Sequence, residues 1–213
     1  MNIIYLLFHG LSPYSGISKK ILHQVKGFEA CGHRVSLCTY SIADNGHRVR
    51  MINNEIIEDY GTGKPAAAKR RVSYQCIYRY AITHQVELIY VRSFHNANPF
   101  TIRLFSKLRK AGIKIAMEIP TYPYDSEYAG FPLVTRLGIQ VDKVFRKTLA
   151  KHVNAIVTFS DYHCIFGQRT IQISNGVDFD SIPLKKTVSK NTSVIHLLGC
   201  LLYTSPSPRD KRQ

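Results

Sequence analysis

Several familiar signatures are missing from this sequence, and each absence narrows the choice of function. There is no C-x-x-C pair. The five cysteines (Cys31, Cys38, Cys76, Cys164 and Cys200) are scattered, which is not the spacing of a zinc site, and no metal is expected. Their odd number, with no secretory leader ahead of them, predicts free thiols in a reducing compartment. Long apolar runs are also missing. The opening "MNIIYLLFHG" is too short to span a bilayer and lacks the basic n-region of a signal peptide, which points to a cytoplasmic protein. Neither G-x-G-x-x-G nor G-x-x-x-x-G-K-[ST] occurs, so a dinucleotide-dependent oxidoreductase lacks its fingerprint. No internal repeat is visible. Acids are scarce, 14 against 29 basic residues, giving a net charge of +15. Such a surface attracts polyanions: nucleic acid, anionic lipid headgroups or phosphorylated substrates. Nucleic acid is set aside, because aromatics are not interleaved with the basic clusters and no recognition motif occurs.

What is present suits a packed domain: 45% of residues are hydrophobic and 11% aromatic, too many for disorder. Short apolar runs alternate with segments of helical period. "IIYLLF" (3–8) reads as a buried strand, and Ile17, Ile21, Val25 and Phe28 mark a helix ending near Gly32. "HRVSLCTY" is a strand, and "RVRMINNEIIED" a third with a turn around Asn53-Asn54. A single helix is expected from about Pro65 to His84, with Val72, Cys76, Tyr80 and His84 on one face. "ELIYVR" is a strand. "NPFTIRLFSKLRKAG" is a helix started by Pro99 and stopped by Gly112. "IKIAMEI" is again a strand. "LVTRLGIQVDKVFRKTLAKH" is a long helix expected to pack Val134, Leu137, Val141, Val144 and Phe145. "NAIVTFS" and "TIQIS" are strands, with Ser160 expected to cap a short helix from Asp161. The alternation predicts an α/β fold, a Rossmann-like parallel sheet with helices on both faces. Ligands of such sheets bind at the carboxyl ends of the strands.

Four loops leave those ends. In "FHGLSPYSGISKK", Ser15 and Gly16 stand where a helix N-terminus could seat a diphosphate, with Gly16 letting it approach the backbone. In "VRSFHNANP", Arg92 suits phosphate or carboxylate, and His95 could hydrogen-bond a sugar hydroxyl. "MEIPTYPYDSEY" gathers Glu118, Tyr122, Tyr124, Asp125, Glu127 and Tyr128 on a loop stiffened by two prolines. Aromatic faces beside acids form a carbohydrate-binding surface. In "ISNGVDFDSI", Asn175 and Gly176 tolerate positive φ and end a strand sharply. A polar, basic stretch follows, so this pair reads as an interdomain hinge.

With these pieces placed, the chain resembles the N-terminal domain of a GT-B-fold glycosyltransferase, in particular the family 4 enzymes of bacterial polysaccharide synthesis. The resemblance is carried by the Gly16 loop, "GFEACGHRVSLCTY", "ELIYVR", "EIPTYPYDSE" and "ISNGVDFDSI", and covers roughly residues 1–198. It implies two Rossmann-like domains facing across a cleft, with a nucleotide sugar as donor and no cofactor or metal. Transfer of the sugar would retain anomeric configuration, as by a hexosyltransferase. Ser15 and Gly16 would then lie near the donor diphosphate. Arg92, His95, Glu118, Tyr122, Tyr124, Asp125 and Glu127 would shape the pocket for a saccharide acceptor carried on lipid. Where many family members have His at the strand end, this chain has Glu118, to which acceptor binding is assigned. Acceptors of this kind lie at the inner membrane leaflet. Three basic helix faces fit that setting: Lys69, Arg70, Arg71 and Arg79; Arg103, Lys107, Arg109 and Lys110; and Arg136, Lys143, Arg146, Lys147 and Lys151. Each cation near an anionic surface contributes about 1 kcal/mol. The competing reading is a non-catalytic module that binds anionic membrane or polysaccharide.

The resemblance also implies a division of the chain. Residues 1–176 would be the acceptor-side domain and 177–192 an interdomain linker. Residues 193–199 ("SVIHLLG") would be the first strand of a nucleotide-sugar-binding domain. That domain, with the main nucleotide-gripping groups, is expected to be missing. Residues 200–213 are expected to be a non-native tail, because the family pattern stops at Gly199 and "CLLYTSPSPRD" reads like translated sequencing adapter. A fragment of this kind is expected to transfer little or no sugar.

Overall fold

The computed structural model describes residues 1–12, 14–92, 96–123 and 133–174, without the side chains of residues 134 and 135. The chain divides into two units, Met1–Val177 and Asp178–Gln213, and every described residue belongs to the first. His95, Tyr124, Asp125, Glu127, Asn175 and Gly176 lie outside the described residues, as do residues 177–213.

Strand β1 (Asn2–Leu6) leads into helix α1 (Gly16–Ala30) and strand β2 (Arg34–Ile42). Strands β3 (Arg48–Ile52) and β4 (Glu55–Asp59) then form a hairpin. Asn53 and Asn54, at φ 48° and 72°, supply the paired positive φ values that a tight two-residue turn needs. Helices α2 (Gly63–Val72) and α3 (Gln75–Thr83) precede strand β5 (Leu88–Arg92). Helix α4 (Pro99–Lys110), strand β6 (Lys114–Ile119), helix α5 (Leu133–Ala150) and strand β7 (Ala155–Thr158) follow, and β8 (Cys164–Ile165) and β9 (Gln168–Gln172) close the series. The sheet has nine strands in the order β4-β3-β2-β1-β5-β6-β7-β9-β8. β2, β1, β5, β6, β7 and β9 run parallel; β3, β4 and β8 are antiparallel to their neighbours. The fold is α/β with a mostly parallel mixed sheet.

The order carries a functional implication. From β1 the chain winds outward through β2 to β4, then returns to place β5 on the other side of β1. The gap between β1 and β5 is therefore a topological switch point, where two crossovers leave in opposite directions and their loops part. One face of the sheet buries Ile3, Tyr5, Leu7 and Tyr90 against Ile21, Val25 and Phe28 of α1. The other buries Ile4, Leu6, Ile89 and Ile115 against α3, α4 and the end of α5. Fully burying a side chain such as Ile21 contributes about 2 kcal/mol.

Helix α4 forms as its ends predict. The Asn98 side chain accepts from the amides of Phe100 (2.9 Å) and Thr101 (3.0 Å), and the Thr101 hydroxyl accepts from the Asn98 amide (3.0 Å). This reciprocal cap satisfies donors that a helix start otherwise leaves open. Elsewhere the structure corrects the expected elements. The helix expected over 65–84 is broken at Ser73 and Tyr74, because Tyr74 turns into the core. Its ring meets Phe8 edge-on at 5.8 Å, and Val72 is left exposed. The helix expected from Asp161 is instead the β8–β9 hairpin, turned by Phe166 and Gly167 at φ 52° and 81°. Helix α5 buries the opposite side from the one expected. Ile139, Asp142, Leu149 and Ala150 face inward, and Leu137, Val141 and Val144 are exposed. Of the expected set only Phe145 packs on the core; the side chain of Val134 lies outside the described set. Asp142 fixes this rotation by accepting the backbone amide of Ala97 at 2.9 Å.

Candidate functional site at the strand ends

The parallel register brings the carboxyl ends of β1, β5, β6 and β7 side by side. Leu6 lies beside Val91, Arg92 beside Glu118, and Ile119 beside Thr158. Ser15, Gly16, Arg92, Glu118 and Tyr122 therefore share one edge of the sheet, around the β1/β5 switch point.

The β1–α1 loop is held shut by serines. Ser15 caps α1, its hydroxyl accepting from the Ser18 amide at 3.5 Å, and the Ser18 hydroxyl accepts from the Ser12 amide at 2.9 Å. No acid occupies the first turn of α1, so the partial positive charge of its amides is not offset there. A methyl group added at Gly16 would meet nothing within 4 Å, whereas one at Gly10 would stand 2.9 Å from the Tyr40 carbonyl oxygen. Close approach of the loop after β1 to β2 demands glycine at position 10, whereas Gly16 borders open space.

Arg92 and Glu118 are below this surface. Their exposures are 8% and 0%, and Arg92 Nη1 donates to Glu118 Oε1 at 2.6 Å. The other carboxylate oxygen accepts from the Tyr90 hydroxyl (2.7 Å) and the Gln24 amide (2.9 Å), and Gln24 accepts in turn from the Tyr5 hydroxyl at 2.6 Å. A buried carboxylate must be paired and hydrogen-bonded to be tolerated, and this one is. Burial, and then the Glu118 charge, push the phenols of Tyr5 and Tyr90 well above their ordinary range. The network ties α1 to the ends of β5 and β6, and it spends the carboxylate internally.

Lys20 stands above this network. Its ammonium lies 3.4 Å over the Phe159 ring, and burial lowers its pKa to about 8 despite the nearby Glu118 charge. At neutral pH it is mostly protonated, so the surface next to the α1 amides is cationic. Tyr122 completes the edge: its amide donates to the Ser160 hydroxyl at 3.0 Å. Its ring packs edge-on against Tyr162 (5.1 Å) and Phe166 (5.5 Å), so it braces the loop as much as it faces outward. Lys20, Gln24 and the Ser160–Tyr122 contact were not evident as site groups in the sequence. A usable signal was the i, i+4 placement of Lys20 and Gln24 flanking the apolar stripe of α1.

A separate cavity of about 360 Å³ lies between α3 and α4, lined by Tyr74, Gln75, Tyr78, Phe100, Arg103 and Lys107 among others. It is on the sheet face opposite α1 and does not include the groups just described. Among the described residues no group of three or more His, Cys, Asp or Glu side chains could hold a metal ion, and no helix is long and apolar enough to cross a membrane. Comparison of the chain with protein-family models, with curated proteins and with solved structures gives no significant match in any of the three. The functional reading therefore rests on the residues and their geometry.

Proposed function

We propose that this chain is the acceptor-side domain of a glycosyltransferase of GT-B architecture that moves a sugar from a nucleotide-sugar donor to a lipid-linked saccharide at the cytoplasmic membrane face. The observation that carries the reading is the cationic seat at the β1/β5 switch point. There the Ser15-capped end of α1 and Lys20 stand together, above a carboxylate already neutralised by Arg92. Developing negative charge on a leaving diphosphate would be stabilised there by fixed amides and an ammonium, without a metal. Arg92 and Glu118 act in this reading as positioning residues that fix α1 against β5 and β6, while the loop after β6 meets the acceptor.

The test is calorimetric titration of the chain with nucleoside diphosphates, nucleotide sugars and a lipid-linked saccharide in nanodiscs. Saturable binding of a nucleoside diphosphate, weakened about tenfold by Lys20→Met, is the expected outcome. Failure to bind any donor or acceptor would overturn the reading.

A second reading, a module for anionic membrane, is favoured by α5. Leu133, Leu137, Val141 and Val144 are all exposed on one side of this helix, bordered by Arg136, Lys143 and Lys147. An apolar stripe beside cations suits an interfacial helix. Co-sedimentation with phosphatidylglycerol vesicles, sensitive to salt and lost in the Leu137→Asp, Val144→Asp double variant, would support it. If binding to vesicles persists while donors and acceptors fail, this reading replaces the first.

A further inference from the structure

One corner of the same edge, on the sheet face opposite α1, collects the guanidinium groups of Arg48, Arg50 and Arg70, none of which forms a salt bridge among the described residues. Arg48 and Arg50 stand on β3 opposite Ile42 and Tyr40 of β2. Arg50 is 1% exposed. Its Nη1 donates to the Leu7 carbonyl at 2.8 Å, its guanidinium lies 5.9 Å from the Phe8 ring centre, and its Nε has no hydrogen-bond partner among the described residues. Burial opposes its charge, while the thiol of Cys38 and the phenols of Tyr60 and Tyr74 favour it and hold its pKa above the ordinary arginine range. Arg70 arrives from α2, its guanidinium 4.3 Å over the Tyr40 ring, and its Nε is likewise buried with no partner among the described residues. Arg48 donates to the Tyr40 hydroxyl at 2.7 Å. On β4, Glu58 stands opposite Arg50 in the register and pairs with Arg79 at 3.9 Å, and Asp59 pairs with His47 at 2.7 Å.

Removing a cation from water costs several kcal/mol unless a counter-charge replaces the solvent, and neighbouring like charges add to that cost. Burial, together with the charges of Arg71, Arg48 and Arg50, lowers the pKa of Arg70. Ordinary basic surface does not arrange itself this way, because solvated arginines spread apart. Guanidinium forks match the oxygens of phosphate, and Arg is preferred where that match is made in a partly dry site. We infer that Arg48, Arg50 and Arg70, grouped around Tyr40, form a binding site for a phosphate group, as a phosphate ester, a diphosphate or a lipid phosphate. The site does not depend on the transferase reading, since it uses none of the residues around Lys20.

The experiment titrates the full chain with inorganic phosphate, pyrophosphate and glycerol phosphate against sodium chloride of matched ionic strength. Calorimetry and thermal shift are the readouts. A parallel arm uses vesicles of phosphatidic acid in phosphatidylcholine. Saturable binding of a soluble phosphate, at least tenfold weaker in Arg70→Met and in Arg48→Met, is expected. Circular dichroism reports whether each variant is folded. Arg70 and Arg48 are only partly buried, so their variants keep the fold. Binding confined to the vesicles and lost in the same two variants assigns the site to a lipid phosphate. Responses no larger than those to chloride in both arms, or binding unaltered by Arg70→Met and Arg48→Met, would overturn the inference.

Discussion

Exchanging Arg92 for Met tests the buried network at the cation that neutralises Glu118. Met nearly matches the length of the arginine stem, so packing is largely kept and the change is mainly electrostatic. Glu118, at 0% exposure, would keep only the Tyr90 hydroxyl and the Gln24 amide as donors. Removing one partner of a buried ion pair costs about 3–5 kcal/mol, at least about a fifth of the ~5–15 kcal/mol that holds a typical domain together. For a domain of this size the melting temperature should fall by about 8–15 °C. Urea unfolding followed by circular dichroism measures the loss directly; tyrosine fluorescence is a second probe, since the chain has no tryptophan. The double variant Arg92→Met, Glu118→Gln removes both charges and leaves an amide that still accepts from Tyr90. Its loss should fall short of the sum of the single losses by about 2 kcal/mol, within the coupling expected for touching residues. A loss under about 1 kcal/mol in the single variant, or additive losses, would mean that water reaches the carboxylate and that the pair does not lock α1 to the sheet.

Three further outcomes follow from single sites. Lys20, with its pKa lowered to about 8, should be acetylated with a pH midpoint near that value. Between there and the ordinary lysine value of about 10.4 the unfolded chain holds a proton that the folded chain lacks. Stability therefore gains with rising pH across that window, and Lys20→Met should flatten the gain. Burial pushes the Cys38 thiol up to about 12 and raises that of Cys76, whereas Cys31 and Cys164 are exposed. In Cys200→Ser, a disulfide reagent should therefore titrate two fast thiols before unfolding; four would show an open core. Gly10→Ala should destabilise by about 1–3 kcal/mol, since its methyl would press on the Tyr40 carbonyl. Gly16→Ala should stabilise slightly, by about 0.5 kcal/mol. Urea midpoints in the reverse order would refute the packing described at both glycines.

Much of the architecture was legible because it is written in local signals. The alternation of β-branched runs with 3.6-residue periods marked the parallel strands. Asn98-Pro99 and Gly112 bounded α4, and Asn53-Asn54 announced the β3–β4 turn. What was not legible depended on contacts between distant residues. Helix α5 carries apolar residues on two sides, and periodicity alone does not say which side meets the sheet. The choice is made by Asp142, whose carboxylate reaches the amide of Ala97; a polar residue therefore decides which apolar face is buried. The break at Tyr74 has the same character, since its partner Phe8 is far away in sequence. For the site, the edge was readable from Gly16, Arg92 and Glu118, but their depth was not. An Arg after a buried strand reads the same whether its guanidinium meets solvent or a carboxylate from the neighbouring strand.

That difference in depth separates two arginines that composition treats alike. Arg92 and Arg50 both end near the carboxyl edge, and both are at least nine-tenths buried. Arg92 has its counter-charge inside the fold, supplied by Glu118 one strand away, so its burial is accounted for by the protein itself. Arg50 is met by a carbonyl, thiols, phenols and a ring, while Glu58 opposite it on β4 pairs with Arg79, and Arg48 and Arg70 add like charge. A fold that needed cations only for solubility would leave them in water, where they cost nothing. Holding one at 1% exposure without an ion pair is stable only if the rest of the domain carries the cost or an anion shares it. The two cases predict opposite responses to Arg50→Met. Without an anion, removal of an uncompensated charge should leave stability equal or higher; with saturating phosphate, the wild-type chain should be the more stable. Thermal unfolding of both proteins, with and without phosphate, distinguishes the two, and a wild-type advantage that ignores phosphate would show that neutral groups alone hold the guanidinium.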